Sequence, residues 1–399
     1  MRVESVVPTE VAAARRWTGT GPVKKRIAFI STLEHDPWGG SEELWSQTAL
    51  DLAAHGLPVA ASVYAWSPPH QRVRNLMQGG VEVWLRPSRY PLWKKAWRKV
   101  IAREKTWMAI EVEKFLAVRP PTLVVLSDWG PLPPVELLEL VVSKGVPFVT
   151  IGQANWDSWW PSDELAHRYR KVIYGARRCY FVSKGNQRLL EKQIGCELPN
   201  AEVVYQPCNV NVQALPPWPS VHELHLACVA RLDPISKGQD ILLEALADPV
   251  WNGRRWRLTL YGEGQMRHSL ERMVDHLGLK DRVTFAGWVE SAPNIWAENH
   301  VLVMPSRAEG LPLAMVEAMT CARPVVATDV AGHSEIIEDG VTGFLADAPT
   351  ASSIRKALER LWDRRMCLEA IGKAAAEGIR QKVPADPVRV FSEKINCLA

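Results

Sequence analysis

VLVMPSRAEGLPLAMVEAM, residues 301–319, changes period halfway along its length. Its start, with His300, is a short apolar run that predicts a buried strand over 300–304. Its end predicts a helix over 312–321, with Pro312 in the first turn, where a fixed φ and a missing N–H cost nothing. Strand, loop, helix is the half-unit of an open parallel α/β sheet, and such sheets bind ligands outside the carboxyl ends of their strands. Two acids, Glu309 and Glu317, stand eight positions apart in this unit. In an unbroken helix they would lie about 12 Å apart along the axis. With the loop folded back, Glu309 faces the strand end and Glu317 sits about one and a half turns into the helix, so both can reach one ligand. The free amides of Gly310 and Leu311 at the helix start favour an anion, and Gly310 lets that backbone come close. The plainer alternative is that Glu309 caps the helix and Glu317 belongs to a solvated face.

The same alternation spreads outward. Strands are predicted at 225–230, 257–261, 282–285 and 324–327, with helices at 239–247, 265–277, 291–297, 333–338 and 351–363. Upstream, Arg26 to Ser31 reads as a strand, LEHDPWGGSEE as a loop and SEELWSQTALDLAAHG as a helix ending at Gly56. PVAASVYAW is the next strand, and others follow at 81–85, 122–126, 146–151 and 178–182, with helices at 92–117, 134–144 and 162–175. Between the two series, QPCNVNVQALPPWPSVHE, 206–223, has four prolines and no periodicity, which marks a linker. The expected organisation is a leader over 1–22, a first Rossmann-like domain over 23–205, the linker, a second over 224–375, and a tail over 376–399 packing back on the first domain. Two Rossmann-like α/β domains would leave a cleft between their sheets.

Composition fits this picture. The 399 residues are 47% hydrophobic, enough for two cores. No apolar run reaches the ~18 residues of a membrane span, and the N-terminus lacks the apolar core of a signal peptide. Seven cysteines without CxxC spacing argue against a disulfide framework or zinc site and for a reducing cytoplasm. The net charge of +4 hides an asymmetry: residues 1–200 hold 27 Lys and Arg against 19 Asp and Glu, a net +8, and the remainder is net −4.

Three stretches carry a family resemblance. VARLDPISKGQDILLEAL, LTLYGEGQMRHSLERMVDHLGLKDRVTFAGWV and PSRAEGLPLAMVEAMTCARPVVATDVAGHSEIIEDGVTGFL resemble, in order and spacing, the signature of the retaining GT-B glycosyltransferases that carry E-x7-E (family 4-like, group 1). The resemblance implies a GT-B fold and transfer of a hexose from a UDP-sugar or GDP-sugar, with no metal or other cofactor, to a glycan or lipid-linked glycan in polysaccharide or lipopolysaccharide assembly. It implies that Arg231 and Lys237 hold the donor diphosphate and steady the leaving group, so that both, with Glu309, serve catalysis. Glu317 would bind the ribose, Glu309 the donor sugar, and Gly310 and Leu311 the phosphate or sugar. Gly262 and Gly264 would turn the chain near the nucleoside, with Trp288 and Val289 in the loop that reads the base.

The first domain is less similar. WGGSEE matches the family's glycine loop, with Gly39 and Gly40 approaching the donor or acceptor from the opposite wall. A plain surface turn is the alternative. In VVLSDWG, Ser127 stands where a histidine is common, and in FVTIGQANWD, Gln153 replaces a cleft-lining histidine, leaving Asp128 and Asp157 as ionisable acceptor candidates. NWDSWWP follows a strand end, so Trp156, Trp159 and Trp160 are an acceptor platform or ordinary packing. RPSRYPLWKKAWRKVIAREKTW, 86–107, has eight Lys and Arg and one Glu, with Trp93, Trp97 and Ile101 repeating at i+4. It reads as a basic amphipathic helix, suited to peripheral docking on an anionic membrane or to a core stripe with a solvated face. Nothing accompanies it that would make a nucleic-acid module. A sugar-nucleotide epimerase and a silent glycan-binding or sugar-nucleotide-binding protein remain as alternative readings.

Overall fold

The computed structural model describes residues 25–87, 106–118, 120–208, 210, 215–219, 222–289 and 291–399. The expected leader over 1–22, most of the basic stretch 86–107, and parts of the 206–223 linker lie outside them.

The first sheet contains β1 Ile27–Ser31, β2 Val59–Ala65, β3 Glu82–Pro87, β4 Leu123–Asp128, β5 Phe148–Gly152, β6 Arg178–Phe181 and β7 Ala201–Val203. They run in the order β3-β2-β1-β4-β5-β6-β7, all parallel, with Ile30 opposite Ser62 on β2 and Leu126 on β4. β1, β4 and β5 are buried along their whole length, so their near-continuous apolar runs reflect helices on both faces. The edge strand β3 is exposed or half-exposed instead, with only Arg86 fully buried.

The second sheet contains β8 Leu224–Val229, β9 Trp256–Tyr261, β10 Val283–Gly287, β11 Val301–Met304, β12 Val325–Thr328 and β13 Gly343–Ala346, in the parallel order β10-β9-β8-β11-β12-β13. The strand order reverses between β1 and β4 in one sheet and between β8 and β11 in the other. Those switch points open a crevice at the carboxyl ends of the strands.

Some elements depart from the expectation. The helices Gln71–Gln78 and Lys184–Ile194 were not predicted. The second is mostly polar and sends chiefly Leu190 and Ile194 to the core, but Ser183 caps its start and Gly195 ends it in the left-handed region. Pro312 is the extended residue before the helix Leu313–Thr320 rather than a member of its first turn. One helix, Leu368–Lys382, crosses residue 375, and its Ala375 and Ile379 pack with Met315 and Met319 of the second domain. The final helix, Pro387–Leu398, returns to the first domain. Its Phe391 meets Tyr180 edge-on at 5.0 Å, and Lys394 pairs with Glu202. The buried guanidinium of Arg323 donates to the carbonyls of Pro216 (3.3 Å) and Pro217 (2.6 Å) and covers the Trp218 ring, fixing that part of the linker to the second domain.

Candidate functional site

The loops after β8 and β11 build one wall of a cleft of about 1080 Å³. Lys237 ends the short helical turn Pro234–Lys237 after β8. Its Nζ donates to Glu309 Oε1 at 2.7 Å, and Ser306 Oγ donates to the same oxygen at 2.8 Å. Glu309 is buried. Arg307 holds the loop in place through paired 2.7 Å contacts to Asp240, and its amide donates to the Ser236 carbonyl at 2.8 Å. Arg231, more exposed, stands at the mouth. It reaches Asp36 across the cleft at 2.7 Å and Asp233 at 3.3 Å. Glu309 therefore does not cap the helix: its side chain turns to Lys237, and no side chain caps Leu313–Thr320. Leu311 lines the cleft beside it.

Glu317 lies apart from Glu309, in an adjoining pocket of about 500 Å³ lined also by Arg231, Gly262, Trp288 and Val289. Burial pushes its carboxyl up to about 7, with no cation to offset the desolvation. Half-buried against the pocket wall, it is not a fully solvated surface acid, and among the described residues nothing donates to it. Trp288 is 70% exposed and forms the pocket's outer edge. Gly262 has φ +120°, and a Cβ there would stand 2.2 Å from the Ala230 carbonyl oxygen, so only glycine lets the β9 turn close on the chain leaving β8.

The opposite wall comes from the first domain. Gly39 and Gly40 line it at the start of the turn Gly40–Glu42, and a Cβ on Gly40 would meet the Leu313 side chain at 3.4 Å. Behind them Glu42 is buried, its carboxyl pushed up to about 7 by desolvation although the Ser41 hydroxyl donates to it at 3.4 Å. Gln153 lines the cleft but is committed to the protein: its Nε2 donates to the Ser41 carbonyl at 3.1 Å, and its Oε1 accepts from Gln206.

Three acceptor candidates need correction. Asp128 is buried and absent from the cleft lining. It accepts from Thr32 and from the Gly130 amide at 2.7 Å, and desolvation pushes its carboxyl up to about 6. It holds a turn. Trp159 packs into the first-domain core, edge-on to Tyr169 at 6.4 Å, because its loop folds under the sheet end. Trp160 projects outward, 62% exposed, with Nε1 donating to the Asp157 carbonyl at 2.9 Å. Of the acceptor candidates, Gln153, Trp156 and Asp157 line the cleft.

Gly310, which lines the cleft, also makes a contact that the sequence did not suggest. A Cβ there would stand 1.9 Å from the Gln153 carbonyl oxygen, so what comes close to Gly310 is the first domain's own backbone. The seam between the domains repeats this contact. A Cβ on Gly185 would fall 2.0 Å from the Ala331 carbonyl oxygen, and one on Gly332 would fall 2.5 Å from Ser183 Cβ. Glu335 crosses the seam and accepts from the amides of Gly185 (2.7 Å) and Lys184 (3.1 Å), an N-terminal cap supplied by the other domain. The Asn155 amide donates to the Glu309 carbonyl at 3.4 Å.

Sequence reasoning missed Asp36, Ser306, Asn155 and above all Trp129. Trp129 follows the carboxyl end of β4 as Trp156 follows that of β5, and that shared position was the available signal.

Residues 223–364 match the family of glycosyl transferases group 1. The chain is 36% identical over 142 residues to alpha-D-kanosaminyltransferase of Streptomyces kanamyceticus, covering 35% of this chain and 37% of that protein. It is 37% identical over 172 residues to D-inositol 3-phosphate glycosyltransferase of Paenarthrobacter aurescens, covering 39% of each. Matches to the first three curated relatives span between 21% and 37% of their lengths. Over nearly the whole chain the fold is similar to that of Anabaena Alr3699/HepE, solved in complex with UDP and glucose, at 18% identity, with 94% of this chain and 100% of that chain covered and a TM-score of 0.70. The fold is GT-B, and within it residues 223–364 are similar to the glycosyl transferases group 1.

Proposed function

We propose that the chain is a retaining glycosyltransferase that moves a hexose from a UDP-sugar or GDP-sugar to a glycan or lipid-linked glycan in polysaccharide or lipopolysaccharide assembly. The observation that carries this reading is the convergence of Arg231, Lys237 and Glu309 on one cleft at the carboxyl ends of β8 and β11. In this reading residues 224–375 hold the donor, residues 23–205 the acceptor, 206–223 join them, and 376–399 pack back on the first domain.

The donor diphosphate lies against Arg231 and Lys237, each charge-assisted contact contributing roughly 1.5–3 kcal/mol. Lys237 has three N–H donors and spends one on Glu309, so it can meet a phosphate while keeping that carboxylate company. Glu309 sits beside the donor sugar, where its charge offsets an oxocarbenium-like transition state. The amides of Gly310 and Leu311 and the glycine loop at Gly39 and Gly40 close round the phosphates or sugar. Glu317 takes the ribose hydroxyls, which supply the two donors its carboxylate lacks, and Gly262, Trp288 and Val289 border the base. Arg231 and Lys237 supply positive charge at the leaving oxygen, so the reading assigns no metal. The departing diphosphate accepts the acceptor hydroxyl's proton on the face it leaves, which gives retention.

The same reading places the protein in the cytoplasm, with 86–107 meeting an anionic inner leaflet. Its support is the charge pattern of that stretch. Among the described residues no helix is long and apolar enough to cross a membrane. Co-sedimentation with anionic liposomes, against a chain with Lys94, Lys95, Arg98 and Lys99 reversed in charge, checks the docking.

Calorimetry with UDP and GDP tests the donor site. Arg231→Ala and Lys237→Ala each weaken nucleotide binding by about tenfold to a hundredfold, and Glu317→Ala by about tenfold. Unchanged affinity in all three variants would overturn the assignment.

A further inference from the structure

The first-domain wall carries an aromatic and acidic surface that donor binding leaves unused. Trp129 and Trp156 stack with centroids 5.7 Å apart and planes 18° from parallel, and His35 meets Trp129 edge-on at 6.1 Å. These rings line the cleft together with Asp36 and Asp157, and Trp129 keeps 41% of its surface exposed. A ring pair that only filled space would bury its outer member.

The Trp129 turn is fixed in advance. Buried Asp128 accepts from the Gly130 amide at 2.7 Å and from Thr32. A Cβ on Gly130 would lie 3.7 Å from the Trp156 ring, so the turn also rests on that indole. A preorganised ring gives up little entropy when a ligand lands on it.

Charge narrows the ligand. Among the described residues of this wall, the charged groups lining the cleft are Asp36 and Asp157, and the lining cations, Arg231, Lys237 and Arg307, belong to the second domain. Asp36 is paired with Arg231 at 2.7 Å, so Asp157 is the carboxylate of this wall left to face an acceptor, and a phosphate beside it would be repelled. A pyranose fits: its C–H face carries partial positive charge toward the negative π face of an indole, and its hydroxyls can donate to a carboxylate.

We infer that this wall binds an uncharged pyranose of the acceptor, stacked on Trp129 and hydrogen-bonded to the Asp157 carboxylate. The inference rests on the glycosyltransferase reading above and names its acceptor as a neutral saccharide at the residue that receives the sugar. Asp128 acts as a positioning residue, through the turn that presents Trp129.

Saturation-transfer NMR on the full chain, with UDP present, tests it. The neutral probes are methyl α-glucoside, methyl α-mannoside, maltose and cellobiose, and the anionic probes are glucose 6-phosphate and mannose 6-phosphate. A neutral saccharide receives saturation on its ring protons and binds more tightly than the phosphorylated sugars. Trp129→Ala weakens that binding by about tenfold, Trp129→Phe retains most of it, and Asp157→Asn weakens it less than Trp129→Ala does. Tighter binding of the phosphorylated sugars, or a saccharide signal indifferent to both Trp129 variants or absent throughout, overturns the inference. Calorimetry with UDP and GDP on the wild-type chain separates the two levels. Nucleotide binding without a Trp129-dependent saccharide signal overturns this inference alone, and absence of nucleotide binding overturns the donor reading beneath it.

Discussion

On the second-domain side of the cleft, Lys237, Ser306 and Glu309 meet through contacts of 2.7 and 2.8 Å made by two neighbouring loops. On the first-domain side, Trp129 and Trp156 meet through ring faces and His35 meets Trp129 edge-on, from loops more than twenty residues apart in sequence. The first arrangement is electrostatic, and although Lys237 and Glu309 lie 72 residues apart, each sits in its own short motif. The second is steric and depends on how three separate strand ends are brought level by the sheet. One wall suits a ligand of fixed charge and geometry, and the other a ligand recognised by shape.

The strongest way to break this comparison is to force the walls apart. In Gly310→Ala the new methyl would stand 1.9 Å from the Gln153 carbonyl oxygen, so the seam must open by about 1 Å. A misplacement of that size costs roughly a hundredfold in kcat/KM while leaving each domain folded. Steady-state transfer assays with circular dichroism as a folding control check this, and near-wild-type turnover would show that the seam gives freely.

A smaller effect sharpens the donor wall. The Glu317 carboxyl is pushed up to about 7 in the empty protein, while ribose hydroxyls favour its ionised form. Nucleotide affinity should therefore fall as pH drops below about 7, and Glu317→Gln should flatten the profile. Stability runs the opposite way. Glu42 and Glu317, at about 7, and Asp128, at about 6, hold protons that the unfolded chain, with ordinary carboxyl values of 4.5 and 3.8, has released. The folded state thus binds more protons from about pH 4 to 7, and these groups destabilise it progressively as pH rises through that window. Denaturant titrations of Glu42→Gln and Glu317→Gln across pH 5–8 measure it.

The mildest test spans both walls. The Arg231–Asp36 pair at 2.7 Å is largely solvent-exposed and contributes about 1 kcal/mol or less. Asp36→Asn frees Arg231 for the phosphates, so nucleotide affinity rises by no more than about fivefold, and the gain shrinks with added salt.

The difference between the walls also explains what was legible in the sequence. Buried parallel strands such as β1 and β4 are unbroken apolar runs, and the helix predicted over 351–363 is the one found, because its apolar face repeats cleanly behind the Thr350 cap. The helix Lys184–Ile194 was missed because few of its residues face the core, and its start is secured partly by Glu335, a residue 150 positions away. Lys237 and Glu309 were legible as motif residues, but their direct pairing was not. The Trp-rich run at 156–160 was legible as chemistry only: which indole faces the cleft depends on a loop that turns Trp159 into the core and leaves Trp156 under Trp129.

The glycines of the seam carry a further consequence. Where Gly185, Gly310 and Gly332 abut the facing domain, the spacing is set by hydrogen atoms alone. The joint has no compressible filling, so it works as a mechanical stop. Two bodies that close onto such a stop return to the same gap width each time, whatever the path of approach. The dimension across which a sugar would be handed over is thereby gauged by the backbone, and an engineer who widened the cleft for a bulkier ligand would have to cut elsewhere than at this stop.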